Sequence, residues 1–403
     1  MSQLSEAPPI IPSLSTDRTV RRRSLIAACG AHAVHDGLTD VIYVLLPIWQ
    51  AQFGISFALV GLLRGVYSGT MATCQLLVSR LAKRWGRKRM LVAGTALVGL
   101  AYLMAGFAGG LVALMIALLL GGLGASTQHP LASSLIADAY DEGRPVKEAL
   151  SQYNFAGDVG KTLVPAVVGL SLTVLSWQAN AWLMGFFAIV MAAVMWWLIP
   201  QQNMPVAPVK KRKAASASGK TETNGLRALL ATGTLDSAAR MGFLTFLPFL
   251  LQDKGAGSAG IGVALSLLFV GGAFGKLACG YLGARIGMMK TVWLTESATA
   301  FLIVLVLWLP LQGMMAVLPL LGLALNGTSS VLYGAVPELA GTDKRDHAFA
   351  LFYTATIGAG ALAPVLFGRL GDLQGIPTAV MTLAAVLLLT LPLAWRVQKA
   401  LDD

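Results

Sequence analysis

Apolar residues run along this chain in long unbroken stretches, without the period-two alternation of half-buried strands. At ~20 residues per crossing of a bilayer, twelve stretches can be drawn, at 24–49, 58–82, 90–108, 111–138, 147–175, 178–199, 226–251, 259–283, 290–311, 314–340, 346–370 and 376–396. Between residues 201 and 224 the pattern stops. Pro205, Pro208, the basic run Lys210, Lys211, Arg212 and Lys213, and then Ala-Ser-Ala-Ser-Gly make a polar, low-complexity linker. The expected organisation is an N-terminal segment (1–23), a first six-helix unit (24–199), the linker (200–225), a second six-helix unit (226–396) and a short tail (397–403). The predicted fold class is an all-α membrane protein with twelve transmembrane helices in two six-helix bundles.

The two halves repeat one another. An offset of 201 carries Leu46-Pro47, Gly61, Leu81, Arg84, Gly86 and Arg89 onto Leu247-Pro248, Gly262, Leu282, Arg285, Gly287 and Lys290. An offset of 200 carries Gly122-Leu123 onto Gly322-Leu323 and Asp138 onto Glu338, and 199 carries Pro165 and Gly169 onto Pro364 and Gly368. Parallel repeats joined by a linker are the architecture of two bundles that rock around a central site.

Composition agrees, with 56% hydrophobic and 12% charged residues and a mean hydropathy of +0.70. Such a chain cannot have water as the solvent for most of its surface. The net charge of +11 reports topology once its location is read. Arg18 to Arg23, Lys83 to Arg89, Arg144 and Lys147, Lys210 to Lys220, Arg285 and Lys290, Lys344 and Arg345, and Arg396 and Lys399 fall in alternate connections. The intervening ones lack Lys and Arg, apart from Lys254. By the positive-inside rule both termini are expected to be cytoplasmic, in a multi-pass bacterial inner-membrane protein whose partner is the lipid bilayer and not nucleic acid. No cleavable signal peptide is expected, since residues 1–20 are polar. Cys29, Cys74 and Cys279 lie in apolar stretches at no metal-ligand spacing and read as packing residues.

The stretch from Ser79 to Arg89 resembles the loop signature of the major facilitator superfamily, Gly-x-Leu-x-Asp-Arg-x-Gly-Arg-Arg, with Ser79 for the glycine and Lys83 for the aspartate. The resemblance implies the major facilitator fold and a gating loop at Arg84, Gly86, Arg87 and Arg89 without the acid that normally locks it. A second echo, Gly280 to Gly287, also lacks that acid. Within the superfamily the first half is similar to the fosmidomycin-resistance type of efflux transporter. His32 with Asp36, Leu46-Pro47, Phe53-Gly54, Gly122 to Ser126 leading to His129-Pro130, and Ala149 to Gln152 with Gly157, Gly160 and Pro165 carry that likeness. It implies proton-coupled export of a small anionic or amphiphilic compound by alternating access, no cofactor, and a monomer. It also implies that the first, fourth, seventh and tenth helices line the cavity.

Ionisable side chains near the bilayer centre cost at least about 2.5 kcal/mol each, so each needs a partner, a cavity or a role. His32, Asp36, Asp40 and Tyr43 fall at helical spacing on the first helix and form one polar stripe with His35 beside it. Asp36, Asp40 and His129 are the proton-coupling candidates, and Asp36 leads because it lies mid-span. The same stripe can instead pair with Arg64 or Lys161 and only hold helices together. Asp158 with Lys161 and Asp236 with Arg240 have the spacing of self-neutralising pairs within one helix. Arg64 and Lys276 have no acid at that spacing, which makes them candidates to bind an anion. His32, His35, Asp36 and His129 also admit a transition-metal reading, although no cysteine joins them. No nucleophile elbow, phosphate loop or HExxH motif occurs, so an enzyme is not expected. Proton-coupled uptake of an organic anion and a non-transporting receptor or scaffold stand as alternatives to export.

Overall fold

The computed structural model describes residues 18–140, 144–199, 222–340 and 345–402. Most of the linker and the first seventeen residues lie outside them. The first half holds α1 (Arg18–Asp40), α2 (Ile42–Phe53), α3 (Phe57–Trp85), α4 (Arg87–Gly106), α5 (Leu111–Ala125), α6 (Gln128–Ala139), α7 (Arg144–Ser171) and α8 (Trp177–Leu198). The second holds α9 (Glu222–Asp253), α10 (Ser258–Ile286), α11 (Met288–Trp308), α12 (Leu311–Leu339), α13 (Arg345–Gln374), α14 (Ile376–Leu387) and α15 (Thr390–Asp402).

Fifteen described helices make twelve spans because three spans are broken. The α5–α6 break at Ser126 and Thr127 and the α14–α15 break at Leu388 and Leu389 fall three and four residues before Pro130 and Pro392. A proline has no N–H to give the carbonyl four residues back, and its ring crowds that carbonyl. The α1–α2 break at Val41 lies somewhat further ahead of Pro47.

Eight described spans are long and apolar enough to cross a bilayer on composition alone. The other four, α1–α2, α3, α7 and α9, carry His32, Asp36 and Asp40, Arg64, Asp158 and Lys161, and Asp236 and Arg240. Their lower hydropathy therefore marks the spans that turn polar groups toward the centre of the protein.

Two connections show the repeat in the backbone. Gly86 and Gly287, at equivalent places, have φ of 88° and 94°, a region that favours glycine, and each alone separates two long helices. Lys254, the exception to the charge pattern, donates to the carbonyls of Leu307 (3.0 Å) and Leu309 (2.6 Å). A cation there satisfies orphan carbonyls at the C-terminus of α11.

Within the first bundle α1 packs on α7 and α6, and α4 on α5 and α8; in the second, α10 packs on α12 and α9 on α13. Between the bundles α3 meets α13 and α7 meets α10. These contacts span Phe57 to Gly69 on α3, Asp158 to Gly169 on α7, Ser258 to Lys276 on α10 and Ala361 to Asp372 on α13. Most lie toward the end opposite the termini, and the Asp158–Lys276 pair marks their limit past the middle of α10. There Gly61 packs so closely on the Pro364 carbonyl that a Cβ would overlap it, the small-residue contact expected between membrane helices. The Asp372 carboxylate accepts from the backbone N–H of Phe57 (2.7 Å) and Ala58 (3.1 Å), so it caps α3 from the other bundle. The bundles are thus closed on the far side and part toward the termini, where Leu76, Leu77 and Phe155 are exposed.

Candidate functional site

The polar stripe of α1 faces α6 and α7 at mid-span. His32 Nδ1 lies 2.8 Å from the Tyr153 carbonyl, so that nitrogen carries the hydrogen and donates it. The ring stacks on Tyr153 with centroids 4.0 Å apart. Its Nε2, the lone-pair nitrogen of a neutral imidazole in this tautomer, lies 3.3 Å from Asp36 Oδ2. Lys161 Nζ reaches the same oxygen at 3.3 Å, and His35 Nε2 lies 3.7 Å from Oδ1. The Nε2 atoms of both histidines are buried and have no hydrogen-bond partner. A lone pair facing a carboxylate is repulsive, so this geometry is satisfied by a proton between His32 and Asp36.

His129 completes the cluster from α6. Its ring stands edge-on to His32 and His35, with centroids 5.2 Å and 5.0 Å away. Gly157 and Gly160 on α7 make the approach possible, since a Cβ at Gly157 would strike Asp36 and His32, and one at Gly160 the Ala33 backbone. Ligand atoms of His32, Asp36 and His129 lie within 4.8 Å of one another, a grouping with metal-binding chemistry. The Lys161 ammonium already stands at the Asp36 oxygen such an ion would use.

Asp40, one turn along, lies 3.8 Å from Arg64 Nη2. Arg64 is buried, sits 4.7 Å over the Tyr43 ring and donates to Ser68 Oγ at 3.1 Å. Tyr43 in turn donates across the bundle interface to Met241 Sδ at 3.5 Å. Lys276 Nζ is 2.6 Å from Asp158 Oδ1, an ion pair joining α10 of one bundle to α7 of the other. The Lys276 side chain is 43% exposed and stands at the terminus-side limit of the bundle contacts.

Three residues depart from spacing within their own helix, and two of them, Lys161 and Arg64, take the partners that the alternative reading of the stripe gave them. Lys161 turns away from Asp158 on its own helix and pairs with Asp36. Arg64 and Lys276 are not unpaired cations, because acids from other helices reach them. The Asp236 and Arg240 spacing does give a pair, Oδ2 to Nη2 3.7 Å, and the structure adds Glu296 from α11 within hydrogen-bonding reach of Asp236. Spacing gave no partner for Glu296. Its signal was a lone acid in an otherwise apolar span.

The loop residues lie apart from this centre. Arg84 and Arg89 are exposed beside Gly86. Arg87 forms an ion pair with Asp138, tying α4 to α6 within one bundle.

The family model described as Major Facilitator Superfamily matches residues 28–234 and again 229–401. The 3-(3-hydroxy-phenyl)propionate transporter of Escherichia coli K12 is 27% identical over 346 residues, 81% of this chain and 76% of that protein. Multidrug resistance protein MdtL of Shigella dysenteriae is 25% identical over 231 residues, and that match spans 57% of this chain and 59% of MdtL. In fold, the chain is similar to a bacterial homologue of the human lysosomal transporter Spinster in an inward-facing and occupied conformation, with a TM-score of 0.79 at 14% identity over 95% of this chain and 98% of that one. A mutant form of the nucleoside transporter NupG gives 0.77 at 13% identity over 94% and 99%. With one family match on each half and twelve spans in two bundles, the chain is a multi-pass membrane transporter, not an enzyme, and belongs to the major facilitator superfamily.

Proposed function

We propose that this chain couples proton movement to transport of a small anionic or amphiphilic organic compound, with Asp36 at the coupling site. The observation that carries the reading is a single carboxylate oxygen lying 3.3 Å from both His32 Nε2 and Lys161 Nζ. A proton between His32 and Asp36 cancels the carboxylate charge and leaves Lys161 without a counter-ion inside the bilayer. An anionic ligand supplies one. Proton and anion therefore load together, and each raises the affinity for the other. His35 and His129 border the same space, while Arg64 on α3 braces the stripe at Asp40 and Tyr43. Lys276, Asp158, Asp236 and Arg240 lie on spans that the family likeness makes lining or flanking for the cavity between the bundles.

With both termini cytoplasmic, as the charge pattern supports, the state with the far side closed is inward-facing. Joint loading under an inward proton gradient gives uptake, and the likeness to a hydroxyphenylpropionate transporter supports a small aromatic carboxylate as cargo. Export in exchange for protons is the second reading. It is supported by the fosmidomycin-resistance pattern in the first half and by the likeness to MdtL. It requires substrate and proton to displace one another at Asp36, as a cationic or hydrogen-bond-donating group on an amphiphile would do.

Purified protein in proteoliposomes separates these readings. Joint loading predicts tighter binding of phenylpropionate-type anions as pH falls, and accumulation down an imposed proton gradient. Flux against the proton movement, with binding weakened by acid, supports exchange. Absence of pH-dependent flux across a panel of carboxylates and phosphonates sinks both in favour of a scaffold.

A further inference from the structure

Among the described residues, the interior of the spans holds five carboxyls, Asp36, Asp40, Asp158, Asp236 and Glu296, and four basic side chains, Arg64, Lys161, Arg240 and Lys276. Each cation has an acid within 4.0 Å: Arg64 has Asp40, Lys161 has Asp36, Lys276 has Asp158 and Arg240 has Asp236. Glu296 is left over. It is 1% exposed, its Oε1 has no hydrogen-bond partner, and it comes from α11, a span with no other charge beyond Lys290 in its first turn.

Glu296 reaches Asp236 directly. Two ionised carboxylates in contact repel, and an isolated carboxylate in a low-dielectric interior is strongly disfavoured. Charged groups facing the pair from the surrounding helices are confined to Arg240 among the described residues. Arg240, the more exposed partner, lies 3.7 Å from Asp236 Oδ2, and one guanidinium balances one negative charge. The other carboxyl is neutral only if it carries a hydrogen, which then bridges the two side chains. Threonines at 291, 295 and 299 line the same face of α11 and keep it polar without adding charge.

We propose that Asp236 and Glu296 form a second proton-binding site, a carboxyl pair in the C-terminal bundle that shares one proton beside Arg240. The proton comes from bulk water and returns to it, forming an O–H bond on one carboxyl and a hydrogen bond to the other. No other bond changes. Asp236, 5% exposed against 1% for Glu296, is the more accessible of the two and the entry point. An anion that draws Arg240 away leaves the pair more negative and able to take a second proton. The site stands independently of Asp36, whose counter-ion is Lys161.

Infrared spectroscopy of the reconstituted full-length protein at neutral pH tests this. Wild type should show the C=O stretch of a protonated carboxylic acid, shifting on exchange into D2O. Glu296→Gln should abolish the band, because the remaining Asp236 pairs with Arg240 as an ion. Asp236→Asn should abolish it too, although Glu296 is intact, because Glu296 then ionises against Arg240. Asp36→Asn should keep it. A band that survives either Glu296→Gln or Asp236→Asn, or a wild type without one, overturns the proposal. If one variant fails to fold, the other reads the same proton on the opposite carboxyl.

Discussion

Asp36 on α1 and Asp236 on α9 lie within one residue of equivalent places in the repeat, 200 residues apart where the Leu-Pro pairs that follow them are 201 apart, yet their surroundings neutralise them in opposite ways. Asp36 is one carboxylate among many nitrogens: His32, His35 and Lys161, with His129 close by, from three helices. Asp236 is one of two carboxyls sharing a single guanidinium, that of Arg240 four residues on along the same helix. Duplication supplied the scaffold and one acid per half, but a cation four residues on from that acid exists only in the second. In the first half the counter-charge must come from α7, so removing the acid strands a lysine of another helix. In the second it comes from the same helix, and a spare acid waits behind.

The comparison predicts unequal responses to the same substitution. Asp36→Asn holds the site in its uncharged form and removes the coupling between proton and anion, so it should cut gradient-driven flux to about one hundredth of wild type. Folding and ligand-induced thermal shift should persist. Asp40→Asn and the double variant serve as controls, and full flux in Asp36→Asn and the pair would move coupling to His129, Asp158 or Asp236. Asp236→Asn should be milder, about tenfold, because Glu296 remains to balance Arg240 and only ~1–2 kcal/mol of hydrogen bonding is lost. If the two losses were equal, the spare-acid explanation of the asymmetry would be wrong.

The pair that joins the halves gives a smaller effect. Lys276→Gln or Asp158→Asn should change flux about fivefold, since a partly exposed ion pair is worth ~1 kcal/mol or less. Exchanging the charges, Asp158→Lys with Lys276→Asp, should recover most of it. Failure of the exchanged protein while both single variants work would show that the groups do not act as a pair. The smallest change is expected at Asp372→Asn, where a carboxylate caps α3 from the opposite bundle and contributes ~1 kcal/mol to far-side closure. Labelling of a cysteine placed at Ser56 should speed up a few-fold, and unchanged labelling would remove Asp372 from the closure.

Much of the architecture is legible in the chain. Twelve apolar stretches, their duplication, the alternation of basic connections and the prolines behind two of the three broken spans can all be read without coordinates. So can the concentration of charge on a few helices, because hydropathy and 3.6-residue spacing are local properties of one segment. Spacing identified Asp236 with Arg240 because both lie on one helix. Every pairing that spacing missed crosses from one helix to another: Lys161 to Asp36, Arg64 to Asp40, Lys276 to Asp158 and Glu296 to Asp236. A helix's own sequence fixes which residues share a face. Its rotation and depth against its neighbours are set by packing, here by small residues such as Gly157 and Gly160 that let α7 close on α1. The sequence therefore determined which charges enter the membrane, and only the tertiary structure decided which of them neutralise one another.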